Sequence, residues 1–213
     1  NQKFVESSHA NAQSQLDSII NEMNTLKQLF VQSQNGALNT TNYAALQIQA
    51  EQIRDAIASQ MTATDGSGTA IFQDSVNQVQ IEPNLMVDSG VTFSDAFGSS
   101  GSYDYSTSSE LYESIDNFVT YLGEKADGAS TYTNDESTVS DGLDNSFDLL
   151  TQAQQRSGGI SAQVDNANLA ITDIGTQVAA SASALLDTDM AAATAAYTRS
   201  QTLLNAAQAM FAR

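Results

Sequence analysis

Between Asp135 and Leu185 apolar residues recur every seven positions, and this repeat constrains the fold more than any other feature of the chain. Leu143, Leu150, Ser157, Val164, Ile171, Val178 and Leu185 fall on one row. Val139, Ser146, Ala153, Ile160, Ala167, Ile174 and Ser181 fall on a second, offset by three. Two such rows make one continuous stripe on a helix, and a strict seven-residue period lets that stripe follow a neighbouring helix through a left-handed supercoil. At about 1.5 Å per residue such a helix spans roughly 75 Å, which predicts a rod-like packing of helices. Ala and Ser alternate with the larger residues, so helix axes can approach closely but each layer buries less area, and the helix needs more than one neighbour. Gly158-Gly159 is the weak point, because each Gly costs about 1 kcal/mol relative to Ala in a helix interior. A bend or local loosening is expected there.

The same period appears at the start of the chain. Val5, Ala12, Ile19 and Leu26 form one row over residues 4–34, and His9, Leu16, Met23 and Phe30 the other, before Asn35-Gly36 ends the helix. Thr40 or Thr41 is a candidate cap for a second helix over 42–62, with Leu46, Ala50, Ile53, Ile57 and Met61 on one face and an antiparallel course to the first. Asp65-Gly66-Ser67-Gly68 breaks it. The segments 70–72, 78–81, 85–87 and 91–93 are short and rich in β-branched and apolar residues. Asp74-Ser75, Pro83-Asn84 and Asp88-Ser89-Gly90 separate them, which predicts a small β-hairpin-rich excursion. Residues 98–107 read as a flexible connection. Residues 109–126 read as a helix striped by Leu111, Ile115, Phe118 and Leu122, and 127–134 turn the chain into the long repeat. Asp187-Thr188-Asp189 has helix-start character, and a final helix then carries Met190, Tyr197, Leu204 and Phe211 seven apart, available to pack with the N-terminal helix.

The fold class expected is therefore mainly α, an elongated antiparallel helical bundle with a small β-hairpin-rich excursion. Residues 1–64 and 108–213 form the helical core, and 65–107 form the excursion with its connection. Composition agrees: 41% of the 213 residues are hydrophobic but only 7% aromatic, with one Pro and no Trp, which suits packed helices. The absence of Cys excludes a disulfide framework, thiolate catalysis and Cys-ligated metal. Seven basic against 25 acidic residues give a formal charge of −18, which repels nucleic acid and anionic membrane surfaces. No apolar run is seen to approach the roughly 20 residues of a membrane span, and no basic-then-apolar leader is seen. The chain is in helical register by Val5 and stops at Arg213 inside a periodic run, so it reads as the middle of a longer protein.

Little here points to chemistry. His9 is the only histidine, which rules out multi-histidine metal sites, and its place on an apolar row predicts a packing role. Asp65-Gly66-Ser67-Gly68 lacks the alternating acidic ligands and terminal Glu of a calcium loop and reads as a turn. Asp187 and Asp189 read as helix-start carboxylates, not as a catalytic pair. Asn39-Thr40-Thr41 matches a glycosylation acceptor by pattern alone. No catalytic, cofactor-binding or metal-ligating residue is assigned, and no cofactor is expected.

The layout resembles the bacterial flagellin family, and within it the hook–filament junction proteins. Three runs carry the resemblance: "LKQLFVQSQNGALNTTNYAALQIQAEQIRDAI" at 26–57, "TDGSGTAIFQDS" at 64–75 with "VQIEPNLMVDSGVTFSDAF" at 79–97, and "SALLDTDMAAATAAYTRSQTLLNAAQAMFAR" at 183–213. The resemblance implies a helical core built from both ends of the chain with a small β part, and a non-enzymatic structural role in the flagellum. It implies export through the flagellar secretion apparatus to the cell exterior, assembly with like subunits, contact with a neighbouring hook-associated protein and flagellin, and an export chaperone. It also implies further terminal helices that the sequence lacks. The middle is short for the outer domain that larger members carry, so a short filament subunit is a second reading. A helical extracytoplasmic sensory or ligand-binding domain is a third, from a different class.

Overall fold

In a computed structural model the chain is described over residues 2–82, 85–98 and 109–211, with the side chains of Thr188 and Asp189 outside that description. The Pro83-Asn84 turn and nearly all of the 98–107 connection therefore lie outside the described residues. Among the described residues five α-helices and four short strands follow in order. They are α1 (Gln2–Ser33), α2 (Thr40–Met61), β1 (Phe72–Gln73), β2 (Gln78–Glu82), β3 (Leu85–Asp88), β4 (Val91–Thr92), α3 (Phe93–Phe97), α4 (Glu110–Ala126) and α5 (Glu136–Phe211). The chain divides into two units, residues 1–165 and 166–213.

In the first unit the predicted rows are the buried ones. Val5, His9, Ala12, Leu16, Ile19, Met23 and Leu26 of α1 are fully buried, as are Val139, Leu143, Ser146, Leu150, Ala153 and Ser157 of α5, nearly or completely. Two polar pairs fix the sense of packing. Asp17 accepts a hydrogen bond from Gln154, and Lys27 pairs with Asp144 at 2.6 Å, so residue numbers rise on one helix as they fall on the other. The helices are antiparallel. Arg54 of α2 donates to Asp116 of α4 at 2.9 Å, and Ser114 of α4 meets Ser146 of α5 at 2.8 Å. A Cβ added at Gly142 would lie 3.2 Å from the Ser114 Cβ, so this glycine lets α4 and α5 approach closely where their serines bond.

The caps differ in one place from expectation. Asn39, not Thr40 or Thr41, caps α2: its side chain accepts from the Asn42 amide at 2.9 Å while the Asn42 side chain accepts from the Asn39 amide at 3.1 Å. The reciprocal pair satisfies two helix-end donors where a threonine alone would satisfy one. Ser109 caps α4 by accepting from the Tyr112 amide. Asp135 caps α5 by accepting from the Thr138 amide at 2.7 Å.

The β region also differs in detail. β2 and β3 form the expected antiparallel hairpin, with a register irregularity between Gln80 and Glu82. β1 instead pairs in parallel with β4, Phe72 opposite Val91, and Phe93 begins α3 where a strand residue was expected. Thr92 explains the switch: its hydroxyl accepts from the Asp95 amide and so starts a helix. Phe72, Phe93 and Phe97 are fully buried and meet edge to face, the Phe97 ring centroid lying 4.7 Å from that of Phe72 and 4.9 Å from that of Phe93. They belong to the same hydrophobic core as α1, α2 and α4.

The last helix is continuous through Gly158-Gly159, beside the buried Ser157. One expectation for it is corrected: it also runs through 187–189, so Asp187-Thr188-Asp189 is neither a pause nor a helix start. Asp and Thr favour helix starts only where the backbone amides two or three residues later are free, and inside a continuing helix those amides are already bonded to the turn before.

Candidate assembly surface

Burial along α5 ends abruptly. Val164 and Ala167 are buried, whereas the residues that continue the two rows, Ile171, Ile174, Val178 and Leu185, are 51–70% exposed. Met190, Tyr197, Leu204 and Phe211 are 58–92% exposed, so the packing expected for them is not made within the chain. These side chains recur with the spacing of a helix seam and, among the described residues, are left exposed. Isolated exposed apolar residues are ordinary, but a periodic row of them marks a surface that meets something else.

Within the second unit this surface has two parts. From Ile171 to Leu185 the apolar row keeps its seven-residue step. From Leu185 to Met190 the step is five, which at 100° per residue turns the row by about 140° around the helix. Met190, Tyr197, Leu204 and Phe211 then keep the seven-residue step on the new face. Thr172, Thr176, Ser181, Thr194, Thr198 and Thr202 return their hydroxyls to backbone carbonyls four residues earlier, which leaves the helix polar surface satisfied without a partner.

Charge is divided as sharply as burial. Residues 1–165 hold 22 acidic and five basic residues, a balance of −17, while 166–213 hold three and two, a balance of −1. Side-by-side approach of two first units is opposed by like charge, and approach of two second units is not. By length and composition alone α5 is apolar enough to cross a membrane, which corrects the expectation that no run approaches such a span. The periodic rows are the feature of a helix seam and not of a uniformly apolar span.

The first unit carries the polar anchor points. His9, fully buried, places Nδ1 2.9 Å from Ser157 Oγ and Nε2 3.0 Å from the Asp88 carbonyl oxygen, joining α1, α5 and β3 in one node. The histidine thus has the packing role its row position predicts, with a bonded partner on each nitrogen that the sequence did not reveal. Gln2 donates to the Ile81 carbonyl at 2.9 Å and holds the other strand of the hairpin. Asp65 accepts from Ser67 Oγ at 2.6 Å, the Ser67 amide and the Thr69 amide, and those bonds, the Ser67 hydroxyl foremost, hold its carboxyl below the ordinary range. Its oxygen is committed to a turn. Hydrogen bonds from Thr138 first and Ser137 after it lower the Asp135 carboxyl in the same way. Among the described residues no group of three or more His, Cys, Asp or Glu side chains converges as a metal site.

No protein-family model matches the chain, and no curated protein matches it in sequence. Solved structures do. A structure described as a flagellar hook-associated protein from Vibrio parahaemolyticus superposes with a TM-score of 0.68 at 14% identity, over 81% of this chain and 83% of that one. The chain has the fold of that flagellar protein. Two crystal forms of FlgL from Xanthomonas campestris superpose with TM-scores of 0.57 and 0.55, each at 14% identity, over 86% and 82% of this chain and 96% and 90% of theirs. The helix-and-hairpin layout read from the sequence is therefore a fold found in that flagellar hook-associated protein and in FlgL, held here by a sequence 14% identical to each.

Proposed function

We propose that the chain is a structural subunit of the bacterial flagellum, of the kind that joins hook to filament, and that it works by packing with like subunits and not by catalysis. The observation that carries this is the unpartnered, nearly uncharged face of 166–211 on a chain whose fold is that of hook-associated proteins. The first unit is a pre-packed body whose buried rows are already matched. The second presents seam residues with no seam. In this reading the helical segments 1–64 and 108–213 form the core and 65–107 the excursion, and the subunit is exported to the cell exterior, with a chaperone covering the exposed rows until then. Its neighbours are like subunits, a hook-associated protein on one side and flagellin on the other. The fold also suits a short filament subunit, and the experiment separates the two. Deleting the gene in its own cell leaves hooks without attached filaments, and flagellin in the medium, if the chain is a junction subunit. Filaments of normal length on normal hooks contradict the proposal.

A further inference from the structure

Glu22 of α1 and Gln60 of α2 form a pair that is half made. Gln60 Nε2 donates to Glu22 Oε1 at 2.9 Å. The second oxygen of each group, Glu22 Oε2 and Gln60 Oε1, is buried without a hydrogen-bond partner among the described residues. Both are acceptors when the carboxyl is ionised, so neither can satisfy the other, and a buried polar atom left unpaired is costly. One proton resolves the pair. A carboxylic acid carries an O–H on one oxygen and an acceptor on the other, and a primary amide carries the complementary N–H and C=O, so acid and amide close a two-point ring.

We propose that Glu22 and Gln60 are a proton-responsive latch between α1 and α2: protonated Glu22 donates to Gln60 Oε1 while accepting from Gln60 Nε2, and ionisation removes one of the two bonds. The proton comes from and returns to solvent. Several charged groups on these helices have bonds of their own. On α1, Asp17 accepts from Gln154 and Lys27 pairs with Asp144 of α5. On α2, Glu51 accepts from Gln47, and Arg54 bonds Asp55 and Asp116 of α4. Burial is the main influence on the Glu22 carboxyl and raises it above its ordinary value of 4.5, with the Gln60 bond acting the other way. The folded chain then keeps a proton that the unfolded chain has lost. The latch contributes fully below pH 4.5 and is lost as pH rises through the folded value. The inference concerns the first unit alone and stands apart from the proposed flagellar role.

Glu22→Gln supplies a permanent N–H in place of the acid proton and keeps the ring closed at every pH. Thermal unfolding of wild type and variant from pH 4 to pH 8 should show melting temperatures that agree at the acid end, with the variant higher by a few degrees at the neutral end. Burial of the ionised carboxyl opens such a gap by itself, so the ring is read separately: in Gln60→Leu, where no amide closes it, the Glu22 carboxyl midpoint followed by carbon-13 NMR should fall below that of wild type. Parallel melting curves, or a midpoint in Gln60→Leu at or above the wild-type one, overturn the latch. Carbon-13 NMR titration of the wild-type Glu22 carboxyl reads the same group with no substitution: a midpoint above 4.5 is expected, and one at or below it overturns the proposal.

Discussion

Ser157 Oγ lies 2.9 Å from His9 Nδ1 across the interface of α5 and α1, inside a fully buried site. The other ring nitrogen, Nε2, faces the Asp88 carbonyl oxygen at 3.0 Å, and a carbonyl can only accept. Nε2 therefore carries a hydrogen, and Ser157 Oγ, which also lies 3.5 Å from the His9 carbonyl oxygen, is the hydrogen-bond partner of Nδ1. Ser157→Ala leaves a buried nitrogen unpaired and should lower stability by about 1–3 kcal/mol in urea unfolding, well above the effect of removing a hydroxyl from an exposed serine.

The abrupt end of burial along α5 makes a paired prediction. Leu150→Ala opens a cavity against the first unit and should cost about 2–5 kcal/mol. Leu185→Ala occupies the equivalent row position seven-residue steps later and should change unfolding of the isolated chain by no more than about 0.5 kcal/mol. Equal losses at the two positions would mean that Leu185 is covered in solution.

Asn39→Ala removes the half of the reciprocal cap that the Asn39 side chain makes with the Asn42 amide and leaves the backbone amide at 39 bonded to the Asn42 side chain. It should cost about 1 kcal/mol, and Thr40→Ala and Thr41→Ala should cost less, since neither hydroxyl caps the helix. Denaturant midpoints of the three variants rank them directly.

Hydrogen bonds to ionised Asp135 and Asp65 give a stability contribution that is present above the ordinary carboxylate value of 3.8 and lost as pH falls through the lower folded values. Asp135→Asn keeps an acceptor for the Thr138 amide but does not titrate. Its acid-unfolding curve, followed by circular dichroism, should lose less stability than wild type between pH 4 and pH 2.

The buried seam was legible because period alone identifies it. Val5, Leu16, Met23, Leu143 and Leu150 all sit where the seven-residue rows place them. Period says nothing about whether a partner is present, so Leu150 and Leu185 look alike in sequence and differ completely in burial. The parallel pairing of Phe72 with Val91 was illegible for another reason: it joins segments with a complete hairpin between them, and local turn signals favour neighbours. Asp187-Thr188-Asp189 misled because capping chemistry is conditional on a free helix end. Glu22 and Gln60 carry no sequence signal at all, since their pairing depends on two helices meeting at one height.

The central claim is that the exposed rows on 166–211 are the surface through which the subunit is built into a flagellum. Ile171→Asn, Val178→Asn and Leu185→Asn together remove the first row while leaving the buried first unit intact, as an unchanged melting temperature would verify. The deciding measurement is the amount of this chain in purified, sheared-off flagella of cells that express wild type or the triple variant at equal levels. The account predicts that wild type is retained in the assembled fraction and the variant is lost from it, whereas incorporation of the variant at the wild-type level would contradict it.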